Sequence, residues 1–445
     1  MRGWMASEGQ EHVRAMTARV LRLQSVLVAA LAAGVGCGSS VHGATLQDAL
    51  RLALERSPAL ASARAEERAA QAERGLADAA AGPHLGLGAS YTYLDRPTLF
   101  GGMTVFARET QVNMVALRAS VYDRSLSLRR RAASLAASAR GTGVRAAEEA
   151  VLLQVAERYW AVAAAKQHEE AAADAARFLK ANLERVIASQ QAGAATRGEV
   201  LRAQAEEALA RDRLLAAQNG VRVALSALKM AIGLDQDEEF DVSADALLPD
   251  ERVQTAEPAD SPTVTSARQA LAAAEAALAA ARAGNDPTLT LDADFQNIAR
   301  GAEFPRRDGT VSAMVRLNIP IFDSGATQSA VAKAAAERDR AASQLKAAED
   351  QVAFQRRSTE LALQSALERW RATEEQVAAA MESRRLVEIG AREGIYTQTD
   401  LLSAQSAVSA AQASRIQSLA DLKTAEAARL AAISRLDILL DVTRR

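Results

Sequence analysis

The chain has a single cysteine, Cys37, so it can form no internal disulfide. It has few aromatics, 4% of 445 residues, and its 49% hydrophobic content is dominated by alanine. A compact globule built from large side chains is therefore a poor fit. Small apolar residues mixed with 24% charged ones suit long, closely packed helices. Net charge is also missing: 53 basic residues face 55 acidic ones, for a formal −2, so nothing electrostatic points to nucleic acid. The four histidines, His12, His42, His84 and His168, are scattered without metal-ligand spacing. No Ser/His/Asp set or phosphate loop is present, and Gly86-Leu87-Gly88 lacks the rest of a dinucleotide fingerprint. No catalytic residue, cofactor or metal is expected. Past Gly43 no apolar run reaches 18 residues, so no helix is expected to cross a membrane.

The N-terminus reads as an export signal, residues 1–43. Arg14, Arg19 and Arg22 precede a short apolar run from Val26 to Val35, too short to span a membrane. Two processing routes fit. Cleavage after Gly43 places small or modest residues, Val41 and Gly43, at the expected positions. The other route is lipid attachment at Cys37, although Gly34 stands where a larger aliphatic residue is usual. Met16 is a second possible start, since the residues before it add little to the signal.

The remainder consists of two tandem copies of one plan, offset by about 200 residues. Thr196, Glu199, Val200, Leu201, Ala203 and Gln204 recur as Thr397, Asp400, Leu401, Leu402, Ala404 and Gln405. Gly193 and Gly394 precede them. Leu117, Val121, Tyr122 and Asp123 recur as Leu317, Ile321, Phe322 and Asp323, and Pro83 and Pro287 open similar alternating runs. The halves are taken as 44–250 and 251–445, joined through an irregular connector, 234–262, that carries Pro249, Pro258 and Pro262. Each half is predicted to hold a helix, two short strands and then two very long helices. Between Gly325 and Gly390 lie 64 residues without glycine or proline, and 49 lie between Gly143 and Gly193. Both stretches are rich in strong helix formers. A helix of about 65 residues would be roughly 100 Å long and needs lateral partners. Leu401, Ala404, Val408 and Ala411 give coiled-coil steps, and Ala420 and Ala427 continue at seven; Arg415 and Lys423 interrupt the seam.

At the breaks between long helices, Gly193 and Gly394 can take the left-handed turn that ends a helix. Thr196 and Thr397 then sit as N-caps, with Glu199 completing a capping box and Asp400 a shorter substitute. Plain turn chemistry explains these residues; Arg392, Glu393 and Tyr396 go beyond it.

Four runs alternate with period two. Leu85, Leu87, Ala89, Tyr91 and Tyr93 share one face of the first, and Val115, Leu117, Ala119 and Val121 one face of the second. Leu289, Leu291, Ala293 and Phe295 define the third; Val311, Ala313, Val315, Leu317, Ile319 and Ile321 the fourth. About ten alternating residues is the length of a membrane β-strand, and Tyr91, Tyr93, Tyr122 and Phe322 fall near strand ends, where aromatic girdles sit. Arg118, Asp292, Asp294 and Arg316 lie on the other face, which would line a water-filled lumen or simply pair across strands. Four strands cannot close a barrel. Their two open edges would leave backbone groups unpaired in lipid at several kcal/mol each, so several copies must combine, and three give twelve strands.

These residues resemble the TolC-like outer-membrane efflux proteins. Leu46, Ala49, Leu50, Ala53, Leu54, Ser57 and Pro58 look like that family's opening helix. Leu317 to Gly325, with Pro320, Phe322 and Asp323, is similar to its strand-to-helix motif, and Gly394 to Gln405 resembles its helix reversal. In the first half Ser120 replaces the proline and Ser125 the glycine. The resemblance spans residues 44–440. It implies a mainly α fold, with a trimeric twelve-stranded barrel in outer-membrane lipid and a periplasmic α-barrel. It also implies a passive outer-membrane conduit working with a periplasmic adaptor and an inner-membrane pump of the RND or ABC type. The helix tips, Gln191–Glu199 and Arg392–Asp400, would be the adaptor contact and closable aperture. A periplasmic adaptor and a coiled-coil envelope protein are the alternatives. The first needs only one hairpin, and the second leaves the strands unexplained.

Overall fold

The computed structural model describes residues 41–101, 103–243, 253, 255–300, 309–393 and 395–440. Most of the export signal, including Cys37, and also Gly394 lie outside the described residues. Two halves with matching elements follow one another. After strand β1 (Val41–Ala44) and helix α1 (Leu46–Arg56), the first half runs α2 (Pro58–Ala81), β2 (His84–Tyr93), a small hairpin β3 (Thr98–Phe100) and β4 (Met103–Phe106), β5 (Glu109–Tyr122), α3 (Arg124–Gln191), α4 (Arg197–Ile232) and β6 (Phe240–Val242). The second half runs α5 (Pro262–Arg282), β7 (Thr288–Arg300), β8 (Thr310–Asn318), α6 (Ala326–Arg392), α7 (Gln398–Ala432) and the short α8 (Asp437–Leu440). Among the described residues no helix is long and apolar enough to cross a membrane.

The four alternating runs form one antiparallel sheet in the order β2-β5-β7-β8. Both expected hairpins are present, and β5 pairs with β7 to join them. The fourth strand is shorter than its alternation suggests: β8 ends at Asn318, because Pro320 has no N–H to donate to a ladder, and Ile319 and Ile321 leave the sheet. The hairpin β3–β4 and the parallel pair β1–β6 had no clear sequence signal.

Helices α3 and α6, of 68 and 67 residues, are about 100 Å long. The expectation of two very long helices per half needs correction: α4 and α7 have 36 and 35 residues, about half the length of their partners. Each long helix is instead covered in two tiers, one tier from α4 or α7 and the other from α2 or α5. The tiers meet end to end. Gly233 ends α4 in the left-handed region (φ 89°), and a Cβ there would lie 2.5 Å from the Arg56 carbonyl oxygen and 3.0 Å from Pro58, where α2 begins. In the second half the Ala259 N–H donates to the Ile433 carbonyl at 2.9 Å, and Arg356 of α6 donates to the Ala432 and Ala259 carbonyls at 3.1 and 3.0 Å.

The main apolar core lies at this junction of tiers. Leu50 and Ala53 of α1 meet Val155, Ala156, Tyr159 and Val162 of α3, Leu228 and Ile232 of α4, and Leu422, Ala427 and Leu430 of α7. The Tyr159 hydroxyl donates to the Ala44 carbonyl at 3.2 Å. Lys423, which interrupts the heptad, is buried: its ammonium lies 2.9 Å from Glu426 and 5.4 Å from the Trp160 ring centroid. The other interruption, Arg415, pairs with Glu374 of α6 at 3.1 Å. Away from this core most buried side chains are alanines, with a few larger ones such as Val186, Val377, Leu401 and Val408.

Leu422→Ala is expected to lower unfolding free energy by about 3 kcal/mol, the cost of a cavity in a closed core. Leu201→Ala, on an exposed helix face, should change the folding of the single chain by less than about 0.5 kcal/mol. Chemical denaturation of the two variants checks this difference.

Candidate functional site

Both helix tips are built by the same two devices. In the first, Gly193 is left-handed (φ 76°), and the N–H groups of Gly193 and Ala194 donate back to the carbonyls of Gln190 and Ser189 at 3.0 and 2.8 Å. Thr196 Oγ1 accepts from the Glu199 N–H at 3.3 Å, and the Glu199 carboxylate accepts from the Thr196 N–H at 2.6 Å. In the second tip the Ile395 N–H donates to the Gly390 carbonyl at 2.8 Å. Thr397 Oγ1 accepts from the Asp400 N–H at 3.2 Å, and Asp400 accepts from the Thr397 N–H at 2.8 Å. The shorter aspartate therefore closes a full capping box. The hydrogen bonds from Thr196 and from Thr397 hold the carboxyls of Glu199 and Asp400 below the usual carboxylate range. Folded-state pKa values depressed in this way add stability above the ordinary carboxylate pKa. That contribution is lost as pH falls through the depressed values.

The tips differ in one respect. A Cβ on Gly390 would lie 2.5 Å from the Tyr396 ring, so the absent side chain at Gly390 is what lets Tyr396 pack over the last turn of α6. The matching positions of the first tip are Ser189 and Ala195. Arg392 pairs with Glu388 at 2.7 Å on its own helix and does not reach across the tip. Glu393 is the C-cap of α6, its N–H donating to the Ile389 carbonyl at 3.3 Å. At the tips a contact between the two hairpins comes from Arg202 of α4, which donates to the Thr399 hydroxyl of α7 at 2.9 Å. Higher up, Arg384 of α6 donates to Gln405 of α7 at 3.0 Å and lies 5.6 Å from the Phe178 ring centroid of α3. Arg202 and Arg384 carry no motif in the sequence. Each is significant only through a helix distant along the chain.

The strand-to-helix junctions sit at the other end of the long helices. After Pro320 and the exposed Phe322, Ser324 and Gly325 both take positive φ, 55° and 85°. Asp323 accepts from the Gly325 and Thr327 N–H groups at 3.0 and 2.7 Å, and hydrogen bonding from Thr327, side chain first and then backbone, holds its carboxyl below the usual range. In the first junction α3 starts directly after Asp123, which accepts from the Leu126 N–H and the Ser125 hydroxyl, each at 2.9 Å. Ser125 thus fills the place of the glycine without a left-handed residue, and Arg124 crosses to Asp286 at 3.3 Å.

On the sheet, the register brings Arg118, Asp292, Asp294 and Arg316 onto one face. His84, Arg118, Asp292 and Met314 form a row across all four strands. The same face is hollow, with these residues lining an open depression. Asp292 accepts from Arg118 at 2.7 Å and lies 3.8 Å from Arg316; Asp294 accepts from the Ser312 hydroxyl. The charges are thus paired across strands. The opposite face carries Leu85, Leu87, Val115, Phe295, Val311, Val315 and Leu317, all exposed, with Leu117, Leu289 and Leu291 half-buried between them. Leu87 is 82% exposed and, just beyond the sheet, Ile321 is 95% exposed. Polar side chains face the hollow and apolar ones the outside, which inverts the arrangement of a soluble sheet over a core. No group of three or more His, Cys, Asp or Glu among the described residues could hold a metal ion.

A family model described as outer membrane efflux protein matches residues 49–234 and 257–434. Protein CyaE of Bordetella pertussis is 31% identical over 310 residues, covering 66% of this chain and 64% of that protein. The chain therefore spans a little under two thirds of that curated relative's length. Among solved structures, the outer membrane protein VceC of Vibrio cholerae superposes with a TM-score of 0.76 at 21% identity, over 87% of this chain and 95% of that one. The CmeC outer membrane channel of Campylobacter jejuni gives 0.76 at 16% identity, over 88% and 85%. At these identities the solved structures speak for the fold.

Gly325→Ala is expected to destabilise the junction by about 1–2 kcal/mol, since an alanine there must hold a left-handed conformation. Replacing Ser125, which adopts ordinary helical geometry, by Ala should cost less. Thermal melting of the two variants distinguishes the junctions. Thr397→Ala should raise amide exchange in the first turn of α7 by about fivefold, the equivalent of one lost N-cap.

Proposed function

Because the chain belongs to the outer membrane efflux protein family, we propose that three copies of it form a passive conduit from periplasm to exterior, in tripartite efflux or type I secretion. Its place is the outer membrane, with a helical part in the periplasm. The observation that carries the proposal is the sheet. Four strands leave β2 and β8 as open edges, the outer face is apolar and exposed, and the hollow face is polar. Unpaired strand edges in lipid cost several kcal/mol per group, and joining β8 of one copy to β2 of the next removes them. Three copies give twelve strands around the polar face.

The helices support the same assembly. Leu201, Leu209, Leu215, Val223 and Met230 form one exposed stripe along α4, and Phe354, Leu361 and Leu386 another along α6. Two different apolar surfaces on one chain suit a head-to-tail contact, which closes into a ring when the rotation permits. Covering each such side chain adds about 1.5–3 kcal/mol. In this reading the helix tips meet a periplasmic adaptor, which links the channel to an inner-membrane pump that supplies the energy. Tyr396 on Gly390 and the Arg202–Thr399 bond hold the tip in its present shape. The paired charges on the hollow face would set ion preference.

Processing belongs to the same proposal. The chain is assigned an export signal over 1–43 and two repeats over 44–250 and 251–445. Strand β1 lies across the expected cut after Gly43 and pairs with Phe240–Val242. Lipid attachment at Cys37 would keep that strand whole, whereas cleavage after Gly43 would leave it only Ala44. The mass of the mature protein decides between the two.

Detergent-extracted outer membranes should yield a heat-sensitive trimer; a water-soluble monomer would contradict the proposal. Leu215→Glu combined with Phe354→Glu should abolish the trimer while leaving helix content unchanged. Asp292→Asn should free Arg118 and Arg316 and shift single-channel ion preference toward anions. Replacing Arg202 or Tyr396 should raise conductance; Arg392→Ala, which breaks only a pair along one helix, should raise it less.

A further inference from the structure

The helices bury several polar atoms that nothing satisfies, and most of these lie toward the tips. Among the described residues, seven buried side-chain nitrogen and oxygen atoms take part in no hydrogen bond. Four of them are both amide atoms of Asn182, Nε of Arg384 and Nε2 of Gln398. Asn182 stands nine residues before the end of α3 and Arg384 eight before the end of α6, roughly 12–14 Å along each helix. Gln398 is the first residue of α7. Folded proteins leave few such atoms, because each has given up water without gaining a partner.

Asn182 is the extreme case. It is wholly buried within a single chain, so no neighbouring copy or adaptor reaches its amide while the tip keeps this shape. At about 100° per residue, His168, Ala171, Ala175, Leu179, Asn182 and Val186 share one stripe of α3. The first four of these, with Ala210 of α4 and Gln405 of α7, line a cleft of about 490 Å³. Alanine is the commonest residue in its walls, so α4 and α7 grip this stretch of α3 loosely. Asn182 follows one turn closer to the tip. The buried amide on the far wall, Gln405, is already engaged: it accepts from Arg384 at 3.0 Å and donates to Ser409 at 3.3 Å. A buried asparagine that fixes the register of packed helices does so by bonding across their seam. Asn182 makes no such bond among the described residues.

We infer that Asn182 is an opening residue: its unmet amide makes the present tip shape metastable and favours separation of the α6–α7 hairpin from α3 and α4. The inference rests on the channel reading above and deepens it. Separation hydrates the cleft and offers the amide the partners that the present shape denies it. The Arg202–Thr399 bond opposes separation, as does the Arg384 guanidinium of α6 lying 5.6 Å from the Phe178 ring centroid of α3. Latch and amide thus act with opposite sign on one equilibrium. Removing the latch opens the tip, and removing the amide closes it.

The test uses the full-length assembled protein and two readouts. One is the open fraction of single channels in planar bilayers. The other is hydroxyl-radical labelling of Val186, which is buried on the same stripe, with Leu422 of the tier junction as the reference. Leucine has nearly the shape of asparagine without its polar atoms. Asn182→Leu should lower the open fraction by about tenfold or more and reduce labelling of Val186, leaving Leu422 unchanged. Asn182→Asp, which buries a charge in place of the amide, should raise both. Asn182→Leu combined with Arg202→Ala should fall between the two single variants. Wild-type conductance examines the channel reading by itself. A trimer that assembles without conducting overturns that reading, and labelling of Val186 still decides the inference. Labelling that is unchanged or increased in Asn182→Leu would overturn the inference, since asparagine would then be neutral or stabilising in the present shape. So would an equal fall at Val186 and Leu422, the mark of a general gain in stability.

Discussion

The backbone of two edge strands constrains the whole molecule. β2 and β8 each present a row of unpaired N–H and C=O groups beside an apolar face that needs lipid. Water would satisfy the edges and reject the face; lipid would do the reverse. A further copy of the same sheet, adding its own edge, resolves both. In the channel proposed above, a head-to-tail order of copies meets that requirement, and the polar hollow and the exposed stripes on α4 and α6 suit it.

The helices meet a second constraint, that of packing very long rods around a cylinder with little side-chain bulk. Alanine lets the axes come close but gives each contact little apolar area. The two-tier cover over α3 and α6 answers this by concentrating large side chains where the tiers meet. Tyr159, Trp160, Leu228, Leu422 and Leu430 are gathered there, together with the buried Lys423–Glu426 pair. The rest of each rod is held by its neighbours. The tips are then free to differ between halves, as Tyr396 on Gly390 differs from Ala195 beside Ser189.

Much of this was legible from local pattern. Alternation located all four strands of the main sheet and sorted their side chains onto its two faces, because the side-chain period is set by the backbone itself. Gly193, Thr196 and Thr397 announced the reversals because the first turn of any helix needs the same satisfaction of its N–H groups. The repeat showed that both halves follow one plan. Contacts between distant segments were hidden. Nothing near Gly233 reveals that α4 stops against Arg56 and Pro58. Nothing near Arg202 or Arg384 names Thr399 or Gln405. Arg392 stood out beside the turn, yet its partner is one helical turn back, at Glu388. The end of β8 at Asn318 was signalled by Pro320, but the alternation of Ile319 and Ile321 masked it.

Amide hydrogen exchange of β2 and β8 in the natively extracted protein tests the central claim most directly. Edges completed by neighbouring copies should exchange as slowly as the interior strands β5 and β7, and should lose that protection together when the assembly is heated apart. Edge amides that exchange orders of magnitude faster than those of β5 and β7 in the intact particle would show that the sheet ends where one chain ends.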